Sequence, residues 1–555
     1  MASRRQLKIG LILLGIVLLL GFLWLEPWAW IFGQPAVRIS RQTTYLTEPV
    51  AADGMIDYVS AVNARCSAGV TPENNAFVPL ARAFGPQHVP AAVVKRLGMD
   101  PLLNQGSYFQ EARTLFASRI PPKGGRQPSL DSEELEWMLD EARERPWTDA
   151  EFPEVAQWLE ANKQPLALIS AASLRPRMYY PVIGANARPY LLTDVGVDSF
   201  IFVSAGNLLG TRGMHRIGVG ETDAGLDDLL AGCRLAKRIS VSSANLIDRL
   251  VGFRIADNFL RQIAAAAGSG KLTQPQIQKL QAELSAHPPD LDLARSIDEG
   301  ERFTWLEAIA SVPTVNVNYR GNGFQDSRGF FRTVGDLVDR AKIDRNESLI
   351  VVNECYDRLV AALREQDHAL RHAELKKLLG DAAQRGATAR STSWFALIWM
   401  NRTARGRLNG DAAIYLLGGT FGALDSAQGD CEARYGLAQL CVALAAYRLD
   451  HAAYPQTLAE LIPQYLPQLP KDPFGGKDFQ YASQADGYRV YSIGRNEVDD
   501  GGVESDPQNN KDDIVAQIPR QPPPRPSELK AAEQQKKAAP EQDDASPRGG
   551  ASQDK

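Results

Sequence analysis

Cysteine is scarce in this chain, with five residues among 555. The closest two, Cys431 and Cys441, are ten positions apart, which puts them on different turns and faces of a helix. Neither the paired spacing of a zinc site nor the dense, even pattern of a disulfide-stapled domain is present. The sequence therefore excludes a disulfide framework, and we expect most of these thiols to be buried and inert.

An excess of charge of one sign is also missing. The chain has 61 Lys and Arg residues against 66 Asp and Glu residues, a net charge of −5. Nucleic-acid binding depends on a concentrated basic face, so this composition argues against a nucleic-acid partner. The length is too great for one compact core, and it predicts about two to four domains.

Catalytic and cofactor motifs are absent as well. The string Gly268–Lys271 lacks the upstream glycine of a phosphate-binding loop, because Ala265 is there instead. His368 and His372 have helical metal-ligand spacing, but Ala369 replaces the glutamate of the metalloprotease motif. We therefore predict no catalytic residue, no small-molecule substrate and no enzymatic activity. A hydrolase whose active site is dispersed along the helical middle of the chain is the alternative.

Long apolar runs are confined to the N-terminus, where Ile9–Leu25 contains no charge. Seventeen residues form a helix of about 25 Å, which is at the short end of what spans a bilayer. Basic residues precede this run and tryptophans follow it, as in a signal anchor with a cytoplasmic N-terminus. We predict cytoplasmic residues 1–8, a transmembrane anchor over 9–30 in the inner membrane, and an exported body.

A cleaved signal peptide is the alternative for this segment. Glu26-Pro27-Trp28 follows the apolar run in place of the small-x-small cleavage site that signal peptides carry. The pattern therefore favours an anchor that stays attached to the body.

Helical periodicity dominates the body and predicts a mainly helical N-terminal region over 31–165 and a helical middle over 166–426. Thr222 begins the clearest helix, which pairs with the segment ending at Gly218-Val219-Gly220 as a helical hairpin. Such a hairpin is compatible with a helical repeat, although no second copy follows at a fixed period. Within the middle, the apolar run Phe200–Val203 favours a strand.

The C-terminal part has a different pattern, which predicts one α+β domain over 427–518. A helix over Tyr435–Leu449 ends before Tyr454-Pro455, because proline disfavours helical geometry in the residue before it. A glycine-rich turn at Lys471–Gly476 and two alternating runs about Asp486-Gly487 then predict a β-hairpin. Residues 519–555 contain seven prolines and one large apolar residue, Leu529, so this tail is predicted to be disordered.

The order of these features over about 435–514 resembles the globular head of the major pseudopilin of type II secretion systems. The stretch after the anchor, with apolar Met55, Val59 and Val62 at helical spacing, resembles large membrane-anchored bacterial envelope proteins that have no assigned activity. Pseudopilins carry their apolar helix directly before the head, whereas the apolar run here lies about 400 residues upstream. The expected fold is therefore mainly α and multi-domain, with a small pseudopilin-like α+β domain near its end.

The pseudopilin resemblance also implies a calcium site in the loop after the second strand. Asn496 falls where the family usually carries an aspartate, and Asp513 falls on the family's aspartate before Ile514. Asp499, Asp500 and Asp512 are further candidates. The predicted function is that of a membrane-anchored extracytoplasmic interaction protein, with calcium as its cofactor and other envelope proteins, in a secretion or pilus-like assembly, as partners.

Overall fold

The computed structural model describes residues 15–16, 36–119, 131–184, 188–191, 197–242, 246–311, 343–365, 368–392, 396, 400–504 and 509–538. Across these ranges the chain is mainly helical, with one three-stranded antiparallel sheet near the C-terminus. This part of the predicted fold class is confirmed.

The first helices of the described chain are short, and those of the middle are long. The helices before residue 312 are α1 Tyr58–Cys66, α2 Phe77–Phe84, α3 Ala91–Arg96, α4 Ala112–Leu115, α5 Ser132–Glu144, α6 Pro153–Ala161, α7 Lys163–Ser173, α8 Phe200–Gly218, α9 Thr222–Ser242, α10 Leu246–Gly268, α11 Gln274–Ala286, α12 Ala294–Ser296 and α13 Arg302–Ser311, with a π-helical turn at Ile297–Glu301 between the last two. The later elements are α14 Arg345–Leu363, α15 His368–Ser391, α16 Arg402–His451, a 3₁₀ turn at Leu458–Leu461, strands β1 Gln480–Gln484, β2 Gly487–Ser492 and β3 Ile514–Ile518, and α17 Pro526–Ala538.

Helices α8, α9 and α10 form the centre of the body by packing side by side. The predicted helical hairpin is confirmed, since α8 ends at Gly218 and α9 begins at Thr222. The close approach of α9 to α10 depends on Gly232, because a Cβ there would lie 1.9 Å from the ring of Phe259. A larger residue at this position would force the two helices apart.

The strand predicted at Phe200–Val203 is wrong, because these residues begin α8. Ile201, Ala205 and Leu208 are fully buried at helical spacing. A short apolar run has no periodicity of its own, and only the continuation of the chain distinguishes a buried helix from a strand.

Helix α16 is 50 residues long, which corresponds to about 75 Å. Asn401 caps its N-terminus by accepting a hydrogen bond from the Ala404 N–H at 2.8 Å, and it ends at Ala452, which takes the left-handed conformation at φ 56°. Its contacts are with α14 and α15 in the body, with α10 and α11, and with the C-terminal sheet. The predicted helix from Tyr435 is thus the last part of a much longer one that joins the body to the sheet.

The membrane anchor predicted over 9–30 lies, apart from residues 15 and 16, outside the described residues. Among the helices that the structure describes, none combines the length and the apolar character needed to cross a bilayer.

The tail predicted to be disordered is ordered over 519–538. It contains α17, and the Trp137 indole N–H of α5 donates to the Pro523 carbonyl at 3.3 Å. Arg520 contacts Glu141, whose side chain is 1% exposed, at 2.7 Å. The composition missed this order because the tail uses ion pairs and a tryptophan of another region instead of a core of its own. Residues 539–555 lie outside the described ranges.

Candidate functional site

The C-terminal module, residues 427–518, contains the last part of α16 and the sheet β1-β2-β3. The predicted hairpin is confirmed, because Tyr481 pairs with Val490 and Gln484 with Gly487 across β1 and β2. Strand β3 then adds antiparallel to β2, with Ser492 opposite Ile514. Tyr488 and Val490 point toward α16 and are 1% and 0% exposed, so the sheet closes over the helix as the sequence predicted.

Cys431 and Cys441 are buried within this module as thiols without a disulfide. Burial raises the pKa of the Cys441 thiol to about 11. A thiol with so high a pKa has little thiolate at neutral pH, so the expected inert state is consistent with its surroundings.

Asp472 fixes the glycine-rich turn to the end of β2. Its carboxylate is buried and accepts hydrogen bonds from the Ser492 hydroxyl at 2.7 Å and the Ile493 N–H at 3.0 Å. It also accepts from the Phe474 N–H at 3.1 Å. Sequence reasoning located the turn but missed this aspartate, although its position before Pro473 is a typical turn signal.

The acidic loop, residues 494–513 without the undescribed 505–508, begins at Gly494. This glycine has φ +70°, and a Cβ on it would lie 2.3 Å from the Asp512 carbonyl oxygen. Only glycine fits there, which brings the two ends of the loop together. The Asn496 N–H then lies 3.4 Å from Asp512 Oδ1.

Four of the five predicted ligand residues are brought together in this loop. Asn496 Nδ2 donates to Asp500 Oδ2 at 3.0 Å, and the same oxygen lies 3.4 Å from the Asp512 N–H. Asp513 accepts from the Gly502 N–H at 2.7 Å. These bonds connect the first half of the loop to the residues that precede β3.

Asp499, the fifth predicted ligand, makes its side-chain hydrogen bonds with Tyr491 and Gly501 instead. It is exposed, and its Oδ1 accepts from the Tyr491 hydroxyl at 3.0 Å and the Gly501 N–H at 2.9 Å. Burial, together with the hydrogen bond to Asp499, raises the pKa of Tyr491 to about 12. Asp499 therefore anchors the loop to β2.

Asp513 is the most buried carboxylate of the loop, with 2% of its surface exposed. Burial raises its pKa, the negative charges of Asp500 and Asp499 add to the increase, and the Gly502 and Asp500 N–H groups oppose it. A cation beside Asp513 would favour its ionised form, as expected of a ligand in such a loop.

The oxygen atoms of the loop are of the kind that calcium binds, but several of them already accept hydrogen bonds within the protein. Carboxylate and amide oxygens are the ligands that calcium takes, six to eight at a time. However, no three acidic, histidine or cysteine side chains of the described residues are arranged to hold a metal ion. Asn496 Oδ1 accepts from the Val498 N–H at 2.7 Å. Calcium binding would need Asn496, Asp500, Asp512 and Asp513 to exchange such amide partners for the ion.

The module is joined to the body by Arg434 of α16, which sequence reasoning missed. Its guanidinium lies 3.2 Å from Asp257 of α10 and 2.7 Å from Glu504 of the acidic loop. It also donates to the Val515 carbonyl of β3 at 2.9 Å. No sequence signal marks this residue, because its partners are far away along the chain.

Comparison with known proteins supports the module and nothing beyond it. Residues 420–510 match the family model of type II secretion system protein G. The pseudopilin-like resemblance of the C-terminal region is thereby confirmed, and it points at a coarse level to a secretion or pilus-related role in the cell envelope. Searches of curated proteins and of solved structures find no match. The resemblance of the remaining chain to envelope proteins stays a prediction.

Proposed function

We propose that this chain is a membrane-anchored extracytoplasmic interaction protein whose helical body carries the pseudopilin-like module into a secretion or pilus-like assembly. The observation that carries the proposal is the match of residues 420–510 to protein G of type II secretion. The membrane anchor over 9–30 and the periplasmic location of the body are parts of this proposal. Its action is binding, not catalysis.

Site-specific photo-crosslinking in cells tests the envelope role. Val498, at the tip of the acidic loop, is 56% exposed, and Ile247 of α10 is 62% exposed on the body. We expect a crosslinker at 498 to capture a pseudopilin or another secretion component, identified by mass spectrometry, and one at 247 to capture none. Recovery of the protein in the soluble cytoplasmic fraction, or adducts with cytoplasmic proteins alone, would contradict the proposal.

We further propose that calcium stabilises the acidic loop, with a Kd of about 10⁻⁴–10⁻³ M. Calcium at ten times the Kd would add about 1.4 kcal/mol to the free energy of unfolding. The test is thermal unfolding of the full chain with calcium and with chelator. The full chain is needed because α16 packs against α10 in the body.

Asp513→Ala should abolish the calcium-dependent rise in Tm. The matched control is Asp486→Ala, which removes an exposed aspartate from the hairpin turn and should leave the rise unchanged. A Tm that is the same with calcium and with chelator in the native protein removes calcium from the proposal and leaves the binding role untouched.

A further inference from the structure

A large groove separates the C-terminal module from the body. Its walls come from α5, α8, α10 and α16, from strands β2 and β3, from residues 502–504 of the acidic loop, and from the tail up to Pro523. Its volume is about 1190 Å³. Small-molecule sites usually measure about 300–1,000 Å³. This space is therefore better matched to a segment of a polymer than to an ion or a metabolite.

The groove is basic although the chain as a whole is acidic. Of its described lining residues, eight are Arg or Lys and three are Asp or Glu. Three more carboxylates, which do not line the groove themselves, pair with the lining arginines, namely Glu141, Glu151 and Asp257. Counting these with the others gives eight positive against six negative groups, so a positive surplus remains.

The surplus is concentrated on three side chains. Within the described part of the chain, Arg254, Arg489 and Lys271 have no carboxylate partner. Arg489 donates only to neutral groups, to Gln517 Oε1 at 3.1 Å and to the Gly501 carbonyl at 3.3 Å, and Lys271 donates to the Gly218 carbonyl at 3.2 Å. Arg254 is exposed on the groove side of α10.

Arg143 shows how closely these charges are placed. Burial lowers its pKa, the carboxylates of Asp140 and Glu144 oppose this decrease, and the positive charges of Arg261 and Arg254 add to it. Arg254 therefore lies near other cations, where an anionic ligand is favoured.

An apolar wall distinguishes a peptide from other anions. Val503, Val515 and Ile518 line the groove, and Val503 is exposed while the other two are partly buried. Phosphate and nucleic-acid backbones offer charge without apolar side chains, whereas an acidic peptide offers both.

We propose that the groove binds an extended acidic peptide segment of a partner protein, with its carboxylates at Arg254, Arg489 and Lys271 and its apolar side chains against Val503, Val515 and Ile518. The inference rests on the proposed function only in taking the partner to be an envelope protein. The interaction is sensitive to ionic strength, because its charged contacts lie at a solvated rim.

Fluorescence anisotropy of a labelled hexaglutamate peptide with the purified full-length protein tests the proposal. Arg254→Glu should raise the Kd about tenfold or more, since a charged hydrogen bond is worth about 1.5–3 kcal/mol. Arg82→Glu is the matched control, because Arg82 is exposed on α2 and does not line the groove. It makes the same change in net charge and should leave the Kd within about twofold.

Circular dichroism and Tm check that both variants, Arg254→Glu and Arg82→Glu, are folded. Tighter binding of polyphosphate or of an oligonucleotide than of hexaglutamate, or equal Kd values for Arg254→Glu and Arg82→Glu, would overturn the proposal.

The two proposals fail separately. Hexaglutamate that does not bind, in a protein that still crosslinks to secretion components at position 498, removes the groove and keeps the envelope role. Specific peptide binding without such crosslinks has the opposite consequence, since it keeps the groove and removes the envelope assignment.

Discussion

The two sides of the C-terminal module are built in opposite ways. The acidic loop is formed by residues 494–513, which are neighbours in the sequence and are connected mainly by hydrogen bonds to backbone N–H groups. The groove side is formed by residues between 140 and 523, and its charges are paired across elements. A local loop can be recognised from sequence, whereas a surface assembled from distant segments leaves no local pattern.

The difference also shows how the module relates to the body. Residues 420–510 match the family model of type II secretion protein G, and within this range Arg434 fixes the module to Asp257 of α10. The module is therefore integrated into the helical body instead of being attached by a flexible linker.

The largest loss of unfolding free energy is expected from Arg434→Met, which acts where the module is fixed to the body. Removing this guanidinium leaves Asp257 with Arg261 alone, at 3.4 Å, and takes the donor away from the Val515 carbonyl. Breaking a buried pair costs about 3–5 kcal/mol, and we expect a loss of about 3 kcal/mol here. Urea unfolding of the full chain measures the loss. The matched control is Arg495→Met, which removes the exposed pair of Arg495 with Asp430 and should cost about 0–1 kcal/mol. Equal losses would mean that the module is not fixed to the body through Arg434.

A smaller effect is expected where the tail closes the groove. Glu141 is 1% exposed and accepts from Arg145 at 2.8 Å and from Arg520 at 2.7 Å. Glu141→Gln should lower the free energy of unfolding by about 2 kcal/mol, because both guanidinium groups lose a buried charged acceptor.

Limited proteolysis should then cut the tail near Arg520 faster in the Glu141→Gln variant. Lys530→Ala, which removes a fully solvated ion pair of the same tail with Asp131, is the control and should change neither the cutting rate nor the Tm. An unchanged cutting rate in Glu141→Gln would show that the tail is retained by other contacts.

The smallest effect is expected on the loop side, in the pH dependence of Asp513. Its pKa is raised in the folded protein, so the unfolded chain releases this proton at a lower pH than the folded one does. Ionisation therefore costs folding free energy as the pH rises from the ordinary value of 3.8 through the raised pKa. In chelator, the native protein should lose stability over this interval relative to Asp513→Asn, by less than either preceding variant loses.

Thermal unfolding at several pH values measures the difference between the native protein and Asp513→Asn. Calcium should reduce the loss in the native protein and leave the variant unchanged. Parallel curves for the two proteins would show that the burial of Asp513 and its repulsion by Asp500 and Asp499 have no energetic consequence.

Sequence predictions succeeded where a feature depends on residues close together in the chain, and they failed where it depends on distant ones. The hairpin about Asp486-Gly487 was predicted because turn residues and alternation act over a few positions. The strand predicted at Phe200–Val203 was wrong because this short apolar run has no periodicity that separates a strand from a helix. Asp499 was expected beside the other loop carboxylates, and its hydrogen bond from the Tyr491 hydroxyl could be seen only in the structure.

The sequence by itself determined the helical character of the body, the order of elements in the module and the acidic composition of its loop. These depend on periodicity, turn chemistry and composition, which are properties of adjacent residues. The tertiary structure alone decided that α16 extends back to Arg402, that the tail crosses α5, and that a basic groove lies between module and body. The reason is physical, since the field in a groove depends on which distant charges the fold places together and which carboxylates it brings close enough to neutralise them.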